Sequence, residues 1–358
     1  MSIAVHKLSR EKVADYYGKV LKTKNDLKTT ACCSIDTMPA YMQEPLKLIH
    51  SEIQEKFYGC GAPFPLVLKG MKILDLGCGT GRDCYVLSCL VGEEGEVVGV
   101  DMTDEQLDVA RRHLPEQMQR FGYKKPNVKF HKGYIEDLKS LGLPDSHFDI
   151  VISNCVVNLS PDKESVVKEV YRVLKEGGEF FFSDVYADRR LPAWAKEDPV
   201  LLGECLGGAL YWKDFERLAK KTGFLDPRVV SASRINLHDK AVIDKIGFAQ
   251  FCSVTYRLFK LRELEDACED YGQVAVYKGS IPQSPHQFVL DDHHVFVKGK
   301  PLTVCSNTAL MLFGTRFKEH FDVSGNLSTH YGLFAGCGET PLIKADRAQG
   351  GLSPGGCC

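Results

Sequence analysis

The chain has 358 residues and a formal net charge of −2, with 44% hydrophobic and 26% charged residues. This balance is typical of a globular protein of about two domains, and it argues against a general binder of nucleic acid. The first residues lack the apolar core of a signal peptide, and no run reaches the ~18 apolar residues of a membrane span. We therefore expect a cytosolic protein.

Two amphipathic helices are predicted ahead of the first strand, at residues 10–22 and 41–57. The polar stretch between them carries Cys32 and the adjacent Cys33. Because both helices precede the sheet, we expect residues 1–70 to form a helical cap with a cysteine loop, lying over the ligand-binding edge of the sheet.

From Lys72 onward, strands and helices alternate in the order that is typical of a parallel sheet. The strands are predicted at residues 73–76, 96–101, 127–133, 148–154, 179–186 and 226–233. The main helices between them are predicted at residues 104–120, 162–178 and 211–224. We expect this core, residues 71–235, to be an α/β domain built on a Rossmann-like sheet.

The pattern changes after residue 235, where strand-like segments such as SVTYRLFKL and HHVFVKGK dominate. We expect residues 236–335 to form a smaller α+β domain. The tail, residues 336–358, is rich in glycine, lacks apolar periodicity and ends in Cys357 and Cys358. Such a composition predicts a flexible tail.

The segment KILDLGCGTGRD joins the first strand of the core to its first helix. Gly77, Gly79 and Gly81 allow the backbone to turn sharply and to lie against a ligand. A strand, a glycine turn and a helix in this order indicate a nucleotide-type cofactor, but the turn by itself does not say which one. Cys78, inside the turn, is best explained as a small packing residue.

Acidic residues after the strands narrow the choice of cofactor. Asp75 lies at the end of the first strand, where it would repel the pyrophosphate of a dinucleotide. Asp101 ends the second strand, in the position of an acid that accepts hydrogen bonds from ribose hydroxyls. Glu136 follows the third strand, within reach of an adenine amino group. These acids favour a positively charged cofactor such as S-adenosylmethionine over a nicotinamide dinucleotide.

The segments ILDLGCGTGRD, GVDMT, GYIEDL and ISNCVVNL resemble, in their order and spacing, the class I S-adenosylmethionine-dependent methyltransferases. The residues that this resemblance assigns to the cofactor are Asp75, Gly77, Gly79, Gly81, Asp101, Met102, Ile135, Glu136 and Asn154. Of these, Asp101 would bind the ribose, Met102 would flank the adenine, and Asn154 would lie beneath the sulfonium. Ile135 and Glu136 would complete the adenine pocket.

Three cysteines are predicted to converge on the same edge of the sheet. Cys155 ends the fourth strand, and Cys205 lies in a glycine-flanked turn after the fifth strand. Cys60 comes shortly before the first strand and is within reach from the cap. Thiolates select soft centres, and trivalent arsenic takes three sulfurs while it keeps a lone pair that attacks a methyl group. The cysteines therefore favour arsenic as the methyl acceptor.

The motifs YYGKVLK, YGCG, SNCVVNL, FSDVY, GECLGGALYW and GGCC, together with the glycine turn, resemble the arsenite methyltransferases over residues 11–260 and again at the end of the chain. The resemblance implies four catalytic cysteines, Cys32, Cys60, Cys155 and Cys205. The last three would be ligands of arsenite. Cys32 and Cys60 would form a disulfide during turnover, which thioredoxin or glutathione would then reduce.

The sequence departs from this family at two points. The extra Cys33 leaves the first catalytic position open between Cys32 and Cys33, and the segment SIDTMPAYM after it is shortened. Cys357 and Cys358 match a terminal pair that would help to capture arsenic.

Other functions remain open on the residues alone. A class I methyltransferase that acts on a carbon acceptor such as a quinone or sterol would explain the cofactor motifs, but would leave the cysteines as coincidences. A non-catalytic thiol protein that sequesters soft metals would explain the cysteines and leave the acids without a role. We expect an enzyme that forms mono- and dimethylated arsenicals for detoxification and acts as a monomer, without nucleic-acid or membrane partners.

Overall fold

The structure is a computed structural model, and it describes residues 40–57 and 63–335 of the chain. The predictions that lie outside the described residues concern the helix at 10–22, Cys32, Cys33, Cys60 and the tail at 336–358. In the part of the chain that is described, none of the helices has both the length and the apolar character required to cross a bilayer.

The predicted helix at residues 41–57 is two short helices, α1 (Ala40–Leu48) and α2 (Ser51–Glu55). The break lies at His50, whose Nδ1 accepts a hydrogen bond from the backbone N–H of Glu52 at 3.2 Å. A side chain that accepts from the first turn caps a helix N-terminus, and so a new helix begins there.

The cap packs directly on the core. Met42, Ile49 and Ile53 are buried in one apolar cluster with residues of the following helix. The hydroxyl of Thr80, in the glycine turn, donates a hydrogen bond to the carbonyl of Ile53 at 2.9 Å. The cap is therefore tied to the glycine turn, as expected from its position before the first strand.

In the part of the chain that the structure describes, the main sheet has eight strands. The strands are β1 (Lys72–Leu76), β2 (Glu96–Asp101), β3 (Val128–Lys132), β4 (Phe148–Asn154), β5 (Leu174–Ala187), β6 (Leu210–Tyr211), β7 (Arg228–Ile235) and β8 (Phe251–Phe259). Their order in space is β3-β2-β1-β4-β5-β8-β7, with β6 paired to β5. The pairs from β3 through to β5 are parallel, and β8 runs antiparallel to both β5 and β7.

Helices cover both faces of this sheet, since apolar clusters form on each side of it. They are α3 (Arg82–Val91), α4 (Asp104–Arg112), α5 (Leu114–Phe121), α6 (Lys163–Val173), α7 (Pro199–Gly203), α8 (Trp212–Thr222) and α9 (Lys240–Ile246). The predicted helix at 104–120 is broken at His113, because Pro115 begins a second helix. The predicted α/β fold class is confirmed.

Strand β8 lies beyond residue 235, where the sequence pattern placed the end of the core. It pairs antiparallel with β5 along its whole length, from Glu179 opposite Phe259 to Ala187 opposite Phe251. Its buried side chains belong to the same apolar cluster as the aromatic residues of β5. This segment therefore belongs to the main sheet, where it pairs with β5. The sequence of an antiparallel last strand does not distinguish it from the first strand of a new domain.

The rest of the chain folds on small antiparallel sheets. Its elements are β9 (Glu269–Asp270), β10 (Gln273–Tyr277), β11 (Gln287–Val289), β12 (Val295–Val297), β13 (Pro301–Val304), α10 (Ser306–Phe313), β14 (Phe321–Ser324) and β15 (Gly332–Leu333). The sheets are β13-β10-β14, β11-β12 and β15-β9. Aromatic side chains, among them Tyr277, Phe288 and Phe321, form a separate buried core.

A buried ion cluster joins this C-terminal part to the main sheet. Glu179 of β5 is fully buried and pairs with Arg257 of β8 at 2.5 Å and with Arg316, which follows α10. Arg316 also donates to the carbonyl of Leu66 at 3.0 Å. Burial raises the pKa of the Glu179 carboxyl, but the two arginines outweigh that effect and leave it lowered. One carboxylate thus pairs with two guanidinium groups from different parts of the chain.

Replacing Glu179 with Gln is expected to destabilise the protein by about 3–5 kcal/mol, because it leaves buried guanidinium groups without a counter-charge. Urea unfolding at neutral pH measures the change. A carboxyl with a lowered pKa stabilises the fold above its unfolded pKa and loses that contribution as the pH falls, so the difference between the two proteins should shrink on acidification.

The matched control is Glu176→Gln, which removes an exposed ion pair with Arg262 at 3.2 Å. Exposed pairs contribute at most about 1 kcal/mol. Equal stabilities for the Glu179 and Glu176 variants would show that the buried cluster does not hold the two parts together.

Candidate active site

A cleft opens at the carboxyl ends of β1, β2 and β4, the edge where parallel sheets hold their ligands. It encloses about 970 Å³, part of which is open to solvent. The residues predicted from the sequence that line it are Asp75, Gly77, Gly79, Asp101, Met102, Ile135, Glu136, Asn154 and Cys155. The fold therefore brings four separate sequence motifs to one cleft.

The glycine turn needs its glycines for two different reasons. Gly77 has φ +72°, and a Cβ there would lie 2.4 Å from the side chain of Val156. Gly81 has φ +80°, and a Cβ would lie 2.9 Å from the ring of Phe130. Gly81 caps α3 and does not line the cleft. The left-handed backbone of Gly81 and its contact with Phe130 let α3 begin directly after the turn.

Asp101 connects the second strand to the glycine turn. One carboxylate oxygen accepts the backbone N–H of Gly79, and the other accepts that of Thr103, both at 2.8 Å. Burial raises the pKa of Asp101, while these two N–H groups oppose the rise. Each carboxylate oxygen can accept a further bond, so the side chain is oriented to receive hydroxyl groups of a ligand in the cleft.

Two more acids lie close to Asp101. Asp75 is buried, accepts a hydrogen bond from the thiol of Cys84 at 3.3 Å, and lines the cleft. Burial and the nearby charges of Asp83 and Asp101 raise the pKa of Asp75. Closely spaced carboxylates make the cleft a favourable place for a cation and an unfavourable one for a pyrophosphate. The cleft therefore suits a cationic ligand such as a sulfonium compound.

Asn154 and Glu136 are held in place by hydrogen bonds. The amide of Asn154 donates to Asp83 at 3.3 Å, and Asp83 in turn is paired with Arg82. Glu136 accepts a hydrogen bond from the hydroxyl of Ser160 at 2.7 Å. Both side chains lie on the cleft wall.

Several cleft residues were missed by the sequence reasoning. They are Lys56, Phe57, Cys78, Thr80, Asp83, Thr103, Gln106, Gly133, Tyr134, Val156, Leu159, Ser160 and Pro161. Asp83 comes directly after the glycine turn, and Thr103 comes two residues after Asp101. Both could have been predicted from their closeness to these motifs in the sequence. Phe57, at the end of the cap, lies under the guanidinium of Arg82, 3.1 Å from its ring centre. No local pattern marks such a contact between distant segments.

Cys155 and Cys205 meet at one end of the cleft. The thiol of Cys205 donates a hydrogen bond to the carbonyl of Cys155 at 3.5 Å, and both residues are buried. Cys155 has φ 59° and Cys205 has φ 60°, a left-handed conformation that costs a non-glycine residue roughly 1–2 kcal/mol. Two cysteines that keep this strain side by side are more easily explained by function than by packing.

The two cysteines differ in their oxidation state. The sulfur of Cys155 is in a disulfide bond, whereas Cys205 is a free thiol. Cys155 must therefore be reduced before its thiolate can bind a soft atom. Cys60, the third predicted ligand, and Cys32 lie outside the described residues.

A buried polar cluster supports the turn that carries Cys205. Asp184 of β5 accepts the backbone and side-chain N–H groups of Asn158 at 2.9 and 2.7 Å. A Cβ on Gly208 would lie 2.1 Å from the carbonyl of Asn158, so the Cys205 turn packs directly on the loop after β4. Burial raises the pKa of Asp184 to about 6. The loop of Cys155 and the turn of Cys205 thus form one unit.

Lys163 places a positive charge beside this unit. Its Nζ donates to the carbonyls of Asn158 and Ser160, both at 2.9 Å. Burial lowers the pKa of Lys163 to about 8, and the charge of Cys205 is among the groups that oppose this fall.

Comparisons with known proteins agree with this geometry. A family model described as a methyltransferase domain matches residues 68–223, and one described as the arsenite methyltransferase C-terminal domain matches residues 271–343. An arsenite methyltransferase of Aquipseudomonas alcaligenes is 55% identical over 348 residues, which cover 97% of this chain and 99% of that protein. An arsenite methyltransferase of Mus musculus is 47% identical, covering 86% of this chain and 82% of that protein.

A solved structure is similar as well. The crystal structure of an arsenic(III) S-adenosylmethionine methyltransferase from Chlamydomonas reinhardtii superimposes with a TM-score of 0.80 at 53% sequence identity. The match covers 83% of this chain and 100% of that one. The likeness therefore extends well beyond the sheet that methyltransferases of many kinds share.

Proposed function

The chain belongs to the arsenite methyltransferase family, and we propose that Cys155 and Cys205 hold the arsenic during its S-adenosylmethionine-dependent reaction. The enzyme is an arsenite methyltransferase, and methylation of arsenic for detoxification is the function of this family. The observation that carries the proposal is the contact of the Cys205 thiol with the backbone of Cys155 at the end of the acidic cleft.

S-adenosylmethionine supplies an electrophilic methyl group when it is bound. Asp101 would accept hydrogen bonds from the ribose, and Ile135 and Glu136 would receive the adenine. Asp75 and Asn154 line the part of the cleft next to Cys155, where the positive sulfonium would favour the ionised form of Asp75 against the effect of burial, which raises its pKa. Met102 would flank the adenine from the end of β2. These assignments follow the resemblance to the family, and the position of the residues on the cleft wall supports them.

Arsenite is bound as a substrate by sulfur ligands. Thiolates of Cys155 and Cys205, with Cys60 as the third, exchange with the oxygen or thiol groups that arsenite carries. The arsenic lone pair then points toward the cleft, and no general base is required because the lone pair carries no proton. Holding both partners in line contributes up to about 7–11 kcal/mol to lowering the barrier.

The disulfide at Cys155 supports a catalytic cycle that includes thiol–disulfide exchange. We propose that Cys32 and Cys60 form a disulfide during turnover and that thioredoxin or glutathione reduces it. Cys33 remains an alternative to Cys32. Since both reductants maintain the cytosolic thiol pool, we place the enzyme in the cytosol, and we expect a monomer without nucleic-acid or membrane partners.

The domain arrangement follows from the same observations. We propose a helical cap over residues 1–70, a methyltransferase core that starts at residue 71, and a smaller C-terminal domain up to residue 335. Because β8 completes the main sheet, the core includes Phe251–Phe259 as well as the residues up to 235. The tail, 336–358, carries the terminal cysteine pair.

Methyl-labelled S-adenosylmethionine tests the proposed function. The enzyme is incubated with arsenite and either glutathione or thioredoxin with its reductase, and arsenic species are separated by chromatography. We expect labelled mono- and dimethylarsenic, formed only when a reductant is present. Turnover without any reductant would contradict the redox cycle, and the absence of labelled arsenic under all conditions would contradict the proposal as a whole.

A further inference from the structure

A buried thiol contacts one of the acids of the donor cleft from the interior of the protein. Cys84 is the third residue of α3, is fully buried and does not line the cleft. It is a free thiol, and it donates a hydrogen bond to a carboxylate oxygen of Asp75 at 3.3 Å. Asp75 does line the cleft. Cys84 therefore reaches the donor site through Asp75.

The neighbouring strand leaves the space that this thiol occupies. Gly99 of β2 lies opposite Asp75 of β1 in the parallel register of the two strands, so both positions face the same side of the sheet. A Cβ on Gly99 would lie 2.8 Å from the sulfur of Cys84 and 2.8 Å from the sulfur of Cys78, closer than van der Waals contact allows. The hydrogen bond between Cys84 and Asp75 therefore depends on a glycine at position 99.

The surroundings of Asp75 disfavour its ionised form, and the thiol opposes them. Burial has the largest effect and raises the pKa of the Asp75 carboxyl, and the charges of Asp83 and Asp101 raise it further. The hydrogen bond from Cys84 and the charge of Arg82 act in the opposite direction. Burial also raises the pKa of Cys84, so this thiol keeps its proton at neutral pH. A donor that stays protonated stabilises the carboxylate form of its acceptor.

We propose that Cys84 is a positioning residue for the methyl donor: its thiol holds the Asp75 carboxylate toward the sulfonium of S-adenosylmethionine, in a space that Gly99 leaves open. A carboxylate attracts the positively charged donor more strongly than the uncharged product, S-adenosylhomocysteine. Cys84 thereby contributes to the preference of the enzyme for the donor over the product, which favours exchange of one for the other after each transfer. The inference rests on the donor site of the function proposed above.

Calorimetric binding of the donor and of the product to the reduced full chain tests this role. Arsenite is left out, so no methyl group is transferred during the measurement. In Cys84→Ala, we expect the affinity for S-adenosylmethionine at neutral pH to fall about 5–10-fold and that for S-adenosylhomocysteine to change less than about 2-fold, the size of effect that one hydrogen bond supports. Cys84→Ser keeps a donor and should lie between alanine and the wild type.

The pH dependence of the preference identifies the group through which Cys84 acts. Because the pKa of Asp75 is raised, the wild type should lose its preference for the sulfonium as the pH falls. Without the thiol that rise is opposed less, so Cys84→Ala should lose the preference at a higher pH than the wild type. Asp75→Asn should lack this titration. The double variant Asp75→Asn/Cys84→Ala should match Asp75→Asn, because the thiol then has no carboxylate to act on.

Two further variants separate this role from packing. Cys89→Ala removes a half-buried thiol from the same helix and should keep the wild-type preference for the donor. Gly99→Ala keeps the thiol of Cys84 but places a methyl group against its sulfur, so it should lower the preference although the thiol is present. A packing effect alone would weaken the binding of both ligands by the same factor and leave the preference unchanged.

The same measurements distinguish a failure of this inference from a failure of the proposed function. Equal preferences for the donor in the wild type and Cys84→Ala would overturn the role of the thiol. So would a double variant whose preference is lower than that of Asp75→Asn alone. A wild-type chain that binds neither ligand would contradict the donor site and this inference together. Loss of arsenite methylation with donor preferences as predicted would contradict only the arsenic chemistry.

Discussion

Replacing Cys205 with serine is expected to lower the rate of arsenite methylation by at least about 100-fold, because losing a positioning contact is worth several kcal/mol of barrier. A serine hydroxyl has nearly the shape of the thiol but is a hard, weak ligand for trivalent arsenic. The affinity for S-adenosylmethionine should be unchanged, since Cys205 does not line the donor cleft. Labelled methyl transfer and calorimetric binding of S-adenosylhomocysteine measure the two quantities.

The matched control is Cys252→Ser on β8. Cys252 is a free thiol and is 5% exposed, against 3% for Cys205, but it belongs to the apolar cluster of the sheet. It should retain methylation. If the Cys205 variant methylates arsenite at the rate of the Cys252 variant, Cys205 is not a ligand of arsenic.

Changing Asp101 to alanine is expected to weaken binding of S-adenosylmethionine by about 100-fold or more. Hydrogen bonds to a charged group contribute roughly 1.5–3 kcal/mol each, and the carboxylate serves both the ribose and the turn. Without it, the N–H groups of Gly79 and Thr103 lose their acceptor, so the glycine turn loosens as well. Asp101→Asn should lie between alanine and wild type, because an amide keeps one acceptor oxygen.

The pH dependence of the affinity for S-adenosylmethionine separates the contribution of the Asp101 charge from that of its side-chain shape. Burial raises the pKa of Asp101, so as the pH falls the wild type should lose affinity earlier than an ordinary aspartate would allow. The asparagine variant should lack this titration. Asp104→Asn, which removes an exposed ion pair with Lys132, is the control and should bind normally. Wild-type affinity in both Asp101 variants would exclude the carboxylate from the donor site.

The order of strands and helices in the core was predictable because buried parallel strands leave continuous apolar runs, such as KILDL and FDIVISN. The position of β8 in the main sheet was not predictable from the sequence. Its segment has the same apolar character as other strands, and only its pairing with β5 assigns it to the main sheet. The helix break at His50 depends on its capping side chain, and the break at His113 depends on Pro115. The apolar periodicity continues across both breaks, so a prediction based on periodicity alone gives one long helix in each place.

Most residues that were predicted for the cofactor site line the cleft, because they lie at fixed points of a repeating strand–turn–helix unit. Asp101 and Asn154 are the last residues of β2 and β4, and Asp75 is the second-last residue of β1, so parallel strands that end together place these side chains together. The contact of Cys205 with Cys155 depends on how the turn after α7 packs over the sheet.

The coordination of arsenic in the enzyme tests the central claim most directly. X-ray absorption at the arsenic edge is recorded with one arsenite per reduced chain. We predict an all-sulfur first shell of three ligands, in which Cys205→Ser replaces one sulfur with oxygen. A shell that contains oxygen from the start, or one that stays unchanged in both Cys155→Ser and Cys205→Ser, would contradict arsenic binding by these thiolates.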